Sequence, residues 1–239
     1  MSWDTFLLKW GLVLLLSFSS FNEPGSSPDL KEEFGVDYQQ AVTTLNKNQW
    51  WADTLSKNKF DPAFSLAIVF PEIIRYSAIS DYIETKALEV LYVQYGHDYA
   101  DFSVGRFQMK PTFAEQIEED IIRFNLAKVS PSLSVIHPKI NDNPHLRKER
   151  ILRLKDEYFQ IKYLEAFILI MQKRYAEISS KPVEDQLVFY ATAYNSGYRK
   201  GEKQILKESA RNYFYIGLTE PEKKFSYSQI AVEYYKSQK

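Results

Sequence analysis

Apolar positions along the chain recur mainly three or four residues apart, the period of one helix face. The longest such series is Ile151, Leu154, Tyr158, Ile161, Leu164, Ile168, Met171 and Tyr175, which predicts one helix from His145 to about Ile178. Its apolar surface broadens at Phe167 to Met171, as expected of a central helix contacted from several sides. A second segment, FDPAFSLAIVFPEIIRYS, is apolar nearly all round and predicts a buried helix. Asp61 followed by Pro62 is its start: an N-cap acid, then proline at the first helical position. Pro71 is expected to bend or end that helix just before Glu72.

The remaining elements are shorter. A helix without a clean stripe is expected from Val36 to Lys57, with Trp50 and Trp51 packed on the body. Asp81 and Glu84 have capping-box spacing and open a helix that Gly96 can close. Residues 97–110 lose the helical period and alternate loosely, as a short β ribbon would. Pro111 starts a helix running to about Lys128, and prolines 131, 138 and 144 mark a surface loop over 129–144. Pro182 starts a helix that Gly197 ends, a short helix covers Glu202 to Glu208, and a last one follows Ser226. The expectation is a mainly α fold with at most a short β ribbon.

Composition agrees. Of 239 residues, 45% are hydrophobic and 15% aromatic, enough for one sizeable core, while eight glycines and ten prolines are few for an all-β chain. Thirty basic and 31 acidic residues are interspersed, so no global field draws nucleic acid. The first residues differ from the rest: Lys9, an apolar run from Gly11 to Phe18, then small residues. This is the pattern of an export signal over 1–20, with an uncleaved anchor as the alternative and the only route to a membrane. A Pro/Gly/Ser-rich linker over 21–35 and one domain over 36–239 complete the expected organisation. With no cysteine, neither a disulfide nor a lipid-bearing thiol is available, which fits a bacterial envelope or periplasm.

The same absence removes a cysteine nucleophile. His97, His137 and His145 lack metal-ligand spacing, and the chain has neither a phosphate-cradling glycine loop nor a G-x-S-x-G elbow. No cofactor is implied. A carboxylic acid is the best catalyst on offer. Glu72 lies between Phe70-Pro71 and Ile73-Ile74, and apolar surroundings raise a carboxyl's pKa toward that of a proton donor at neutrality. The local alternative is a glutamate that caps its helix or pairs with Arg75.

Three segments in order add to this. Gly105-Arg106-Phe107-Gln108-Met109-Lys110-Pro111 has the spacing of the Gly-Leu-Met-Gln-x-x-Pro motif of the soluble lytic transglycosylases. Tyr194-Asn195-Ser196-Gly197 resembles that family's Tyr-Asn-Ala-Gly, and Glu72 stands where its catalytic glutamate would. The resemblance covers roughly Pro62 to Gly197. The chain departs from it in four places: Ile73 replaces the usual serine, Ile79 to Ala100 is an insertion, Arg106-Phe107 replaces Leu-Met, and Ser196 replaces alanine. Ser77 or Ser103 could stand in for the missing serine.

The resemblance implies a lysozyme-like helical domain acting on peptidoglycan. Glu72 would be general acid, then base, in cleaving the bond between N-acetylmuramic acid and N-acetylglucosamine, leaving a 1,6-anhydro end. Tyr194 would hydrogen-bond Glu72 or the substrate's N-acetyl group, Gln108 would donate to sugar, and Gly105 would let the backbone approach the glycan. Met109 and Asn195 complete the implied substrate-binding set. Two other readings stay open: a goose-type muramidase using Asp98 or Asp101 to orient water, and a non-catalytic envelope protein that binds glycan or serves as a scaffold.

Overall fold

In the computed structural model the described residues are 29–79, 85–136, 142–217 and 223–239. The export-signal segment, the linker through residue 28, the Asp81/Glu84 capping box, His137 and Pro138 lie outside them. The protein is mainly α. In chain order the helices are α1 Leu30–Lys47, α2 Gln49–Lys57, α3 Pro62–Ile79, α4 Thr85–Tyr95, α5 Pro111–Arg123, α6 Leu126–Val129, α7 Pro144–Lys155, α8 Glu157–Arg174, α9 Ala176–Ser179, α10 Val183–Ser196, α11 Glu202–Ser209 and α12 Tyr227–Ser237. Among the described residues, pairing of β type is confined to two isolated bridges, Val104 with Met109 and Phe214 with Phe225. No helix among them is long and apolar enough to cross a membrane.

α8 is the central column. Residues from Gln160 to Ile168, with Ile170 and Met171, are buried on all sides. They pack against α2, α3, α5, α7 and a 3₁₀ helix at Pro131–Ile136. The single helix expected over 145–178 is instead three. Asp156 leaves the helical region (φ −96°, ψ 123°), and its side chain accepts from Tyr158 N at 2.8 Å, which caps α8. The apolar stripe runs on across this break, so periodicity does not register it. The helix expected over 36–57 is likewise two, broken at Asn48, and starts earlier. Residues 30–35, expected as linker, carry buried Leu30 and Phe34, and the Asp29 carboxylate accepts from Lys31 N at 2.8 Å. The 111–128 helix breaks at left-handed Asn125 (φ 54°). The surface loop expected over 129–144 contains the 3₁₀ helix, whose Leu133 and Ile136 are fully buried against the column.

α3 does not end at Pro71. Asp61 Oδ1 caps it through Ala63 N at 2.9 Å, as expected, and the helix continues to Ile79. A mid-helix proline costs about 3 kcal/mol in isolation. Here the surrounding burial overrides it: Phe70, Ile73 and Ile74 are buried, with Phe70 stacked on Tyr234. Tyr227 Oη also donates to Ile68 O at 3.0 Å, one turn before the proline. α3 packs against α1, α2, α10 and α12. Glu72 therefore projects from the interior of a clamped helix, not from its end.

Candidate functional site

A cleft of about 270 Å³ opens where α3, the 103–110 segment, the start of α5 and the end of α10 meet. Glu72, Gln108, Met109, Tyr194 and Asn195 all line it, joined by Arg75, Asp101, Ser103 and Lys110. Five of the six residues singled out from sequence thus share one cavity. Gly105 lies behind the wall. A Cβ built there would sit 1.9 Å from Gln160 Nε2 and 2.6 Å from Leu154 O, so glycine serves the turn's packing on α8, not an approach to ligand.

The wall is a tight turn closed by the Val104–Met109 pair, whose two N–H···O bonds are 2.9 and 3.1 Å. Gly105 and Gln108 both have positive φ, 72° and 49°. For glutamine this costs about 1 kcal/mol, and such strain persists where surroundings fix it. The fixing is visible at Phe107. Its ring is buried edge-on to Trp51, its N–H donates to Gln160 Oε1 at 2.8 Å, and its carbonyl accepts from Tyr194 Oη at 2.7 Å. Gln160 in turn donates to Leu154 O, a carbonyl freed at the end of α7. The Tyr194 hydroxyl is therefore spent on the turn and does not reach Glu72 as a donor. Gln108 Nε2 donates to Gly105 O at 2.9 Å, which leaves its other amide hydrogen and its Oε1 available to a ligand.

Glu72 is unlike the other buried acids. Glu118 accepts from Arg150, Arg153 and Tyr163. Glu165 accepts from Lys162 and Asn58, and Asp120 from Tyr198 and Arg199. Among the described residues Glu72 accepts no hydrogen bond; Oε2 is buried and bare, with Arg75 Nη1 4.0 Å away. Loss of hydration is the dominant effect on it. Burial pushes its pKa up from 4.5 to about 7, against the weaker pulls of Arg75 and Lys110. It can hold a proton near neutrality and release it into the cleft.

Asp101 lines the cleft but is committed. Both its oxygens accept from Thr112 Oγ1 at 2.9 Å, Oδ1 also takes Thr112 N, and Lys110 Nζ lies 3.5 Å off. Asp98 is exposed beside His97 and outside the cleft. Ser77 Oγ bonds back to Ile73 O, whereas Ser103 reaches the cleft. Trp51 is fully buried, but Trp50 is partly exposed at the surface. His97 and His145 pair with Glu115 and Glu149. Among the described residues no group of three or more acids and histidines is placed to hold a metal ion.

Sequence reasoning missed Gln160 and underused Arg75 and Lys110. Gln160 interrupts an apolar stretch beside Ile161, the one hint that a polar side chain there must find buried partners. Comparison with known protein families, with curated proteins and with solved structures gives no match for this chain.

Proposed function

We propose that this protein is a peptidoglycan lytic transglycosylase of lysozyme-like type, with Glu72 as its acid and base. The observation that carries the reading is the isolation of that carboxyl. It is the one buried acid with no hydrogen bond among the described residues, it opens on a cleft, and it titrates near 7. The cleft wall is built by the two segments that resemble the family's motifs.

The chemistry needs one such group. Glu72 protonates the glycosidic oxygen leaving with N-acetylglucosamine, and the bond from that oxygen to C1 of N-acetylmuramic acid breaks. The carbonyl oxygen of the muramic N-acetyl group bonds to C1 and disperses its positive charge. Glu72, now ionised, takes the proton of the same sugar's 6-hydroxyl. O6 displaces the acetyl oxygen at C1 and closes the anhydro ring, and Glu72 is protonated again without consuming water. A goose-type hydrolase would need a second carboxylate free to orient water, and Asp101 is already engaged by Thr112. The substrate implies a protein of the cell envelope. Digestion of purified peptidoglycan, with sugar ends identified by mass spectrometry, tests the reading. Anhydro ends that vanish with Glu72→Gln are expected; reducing ends, or equal clearing by the variant, would overturn it.

A further inference from the structure

The cleft holds a cation, Arg75, that makes no hydrogen bond among the described residues. Arg75 lies one turn beyond Glu72 on α3, and its guanidinium sits against the rings of Phe214 and Tyr215, 5.8 and 5.4 Å from their centroids. Among the described residues it makes no hydrogen bond; its Nε is buried and bare, and its one ionic neighbour is Glu72 at 4.0 Å. A guanidinium carries five N–H donors in a planar fork, and this one lines the cleft with none of them used in a hydrogen bond among the described residues. Lys110 lines the same cleft just before α5, and among the described residues its one ion pair is with Asp101 at 3.5 Å. That acid is already shared with Thr112.

Resting on the glycan-cleaving reading, we infer that Arg75 and Lys110 form an anion subsite that selects glycans carrying a free carboxylate next to the bond to be cut. A carboxylate matches the guanidinium fork through two parallel N–H···O bonds, and Lys110 adds a point charge. Neutral chitin-like chains offer the site nothing equivalent. On a wall glycan the carboxylate has two sources: the lactyl group of muramic acid stripped of peptide, or the free carboxylates of an attached peptide stem.

Binding to the Glu72→Gln protein, which holds glycan without turnover, separates these cases by calorimetry at low salt. The four probes are a neutral chito-oligosaccharide, peptide-free wall glycan, peptide-bearing glycan, and the same peptide-bearing glycan with its stem carboxylates amidated. One carboxylated probe is expected to bind at least about tenfold more tightly than the neutral one, the minimum for a charge-assisted hydrogen bond. Which probe gains identifies the source. Adding Arg75→Gln with Lys110→Gln should reduce the preference below about twofold, and exposed Lys110→Gln alone should reduce it in part. Equal binding of neutral and carboxylated probes, or a preference that survives both substitutions, overturns the inference. Cleavage by the protein with Glu72 intact is read separately. Preference without cleavage removes the transglycosylase reading and leaves the subsite; cleavage without preference does the reverse.

Discussion

Tyr194 Oη donates to the carbonyl oxygen of Phe107 at 2.7 Å across 87 residues of chain. This bond joins the end of α10 to the turn that forms the cleft wall. Because both partners are buried, Tyr194→Phe strands an acceptor, which costs about 1–3 kcal/mol. The variant should lose stability by that amount in urea denaturation. Its amides at residues 105–109 should exchange faster, because Gly105 and Gln108 hold positive-φ conformations that this bond helps to fix.

Glu72→Gln should stabilise the protein in alkaline solution. The folded-state pKa of about 7 lies above the ordinary 4.5, so native Glu72 binds its proton more tightly than the unfolded chain does. Below pH 4.5 both states are protonated and no cost arises. Stability then falls as pH rises toward 7, and above that the full penalty, roughly 3 kcal/mol, is present. Urea midpoints of native protein and variant should coincide near pH 4 and diverge by pH 8, with the variant the more stable.

The same proton governs rate. As general acid, Glu72 must be protonated in the free enzyme, so kcat/KM on wall glycan should fall tenfold per pH unit above about 7. Arg75 and Lys110 act on it through their charge, and the tyrosines near it, Tyr194 and Tyr227, have pKa values that burial raises well above the usual range. A basic limb that begins near 7 is therefore assignable to Glu72.

Two glycines should respond differently to alanine. At Gly105 the methyl would meet Gln160 and Leu154 O at a φ of 72°, combining overpacking with backbone strain for a loss of about 3 kcal/mol or more. Gly35, inside α1, has φ 47° and ψ −115°, outside the left-handed helical well, with nothing within 4 Å of an added Cβ, so backbone strain alone should cost about 1–3 kcal/mol. Thermal unfolding of the two variants should rank them in that order.

Asp101→Ala should act on stability and leave the chemical outcome alone. Losing the carboxylate frees Thr112 N in the first turn of α5, a capping loss of about 1 kcal/mol. The sugar ends released by the variant should match those of the native protein. A switch in end type would mean that Asp101 takes part in the reaction.

The helices themselves were legible because burial of one face writes a period into the sequence. α3, α10 and α12 begin where Asp61-Pro62, Pro182 and Ser226 place them, and α11 covers the expected Glu202 to Glu208. Helix ends set by tertiary contacts were not. Pro71 reads as a terminator, yet α3 passes through it because packing on α1, α10 and α12 outweighs one missing N–H. The Asp156 break falls between Leu154 and Tyr158 without disturbing their sequence spacing, so it leaves no mark on the pattern even though Tyr158 is exposed. Residues 131–136 read as loop from their flanking prolines, and only the neighbouring column shows why Leu133 and Ile136 belong to the core.

The family resemblance supplied the expectation that two distant segments join position 72 in one cleft; by itself the sequence determined a mainly helical chain and the apolar neighbours of that carboxyl. Residue type and spacing are local properties and suffice for that much. Tertiary structure alone decided that the Tyr194 hydroxyl goes to Phe107, that Gly105 faces α8, and that Arg75 is left without a hydrogen-bond partner among the described residues. Partner choice depends on which groups meet in space, and a hydroxyl, an unoccupied Cβ position or a guanidinium looks the same in a sequence whether it is satisfied or bare.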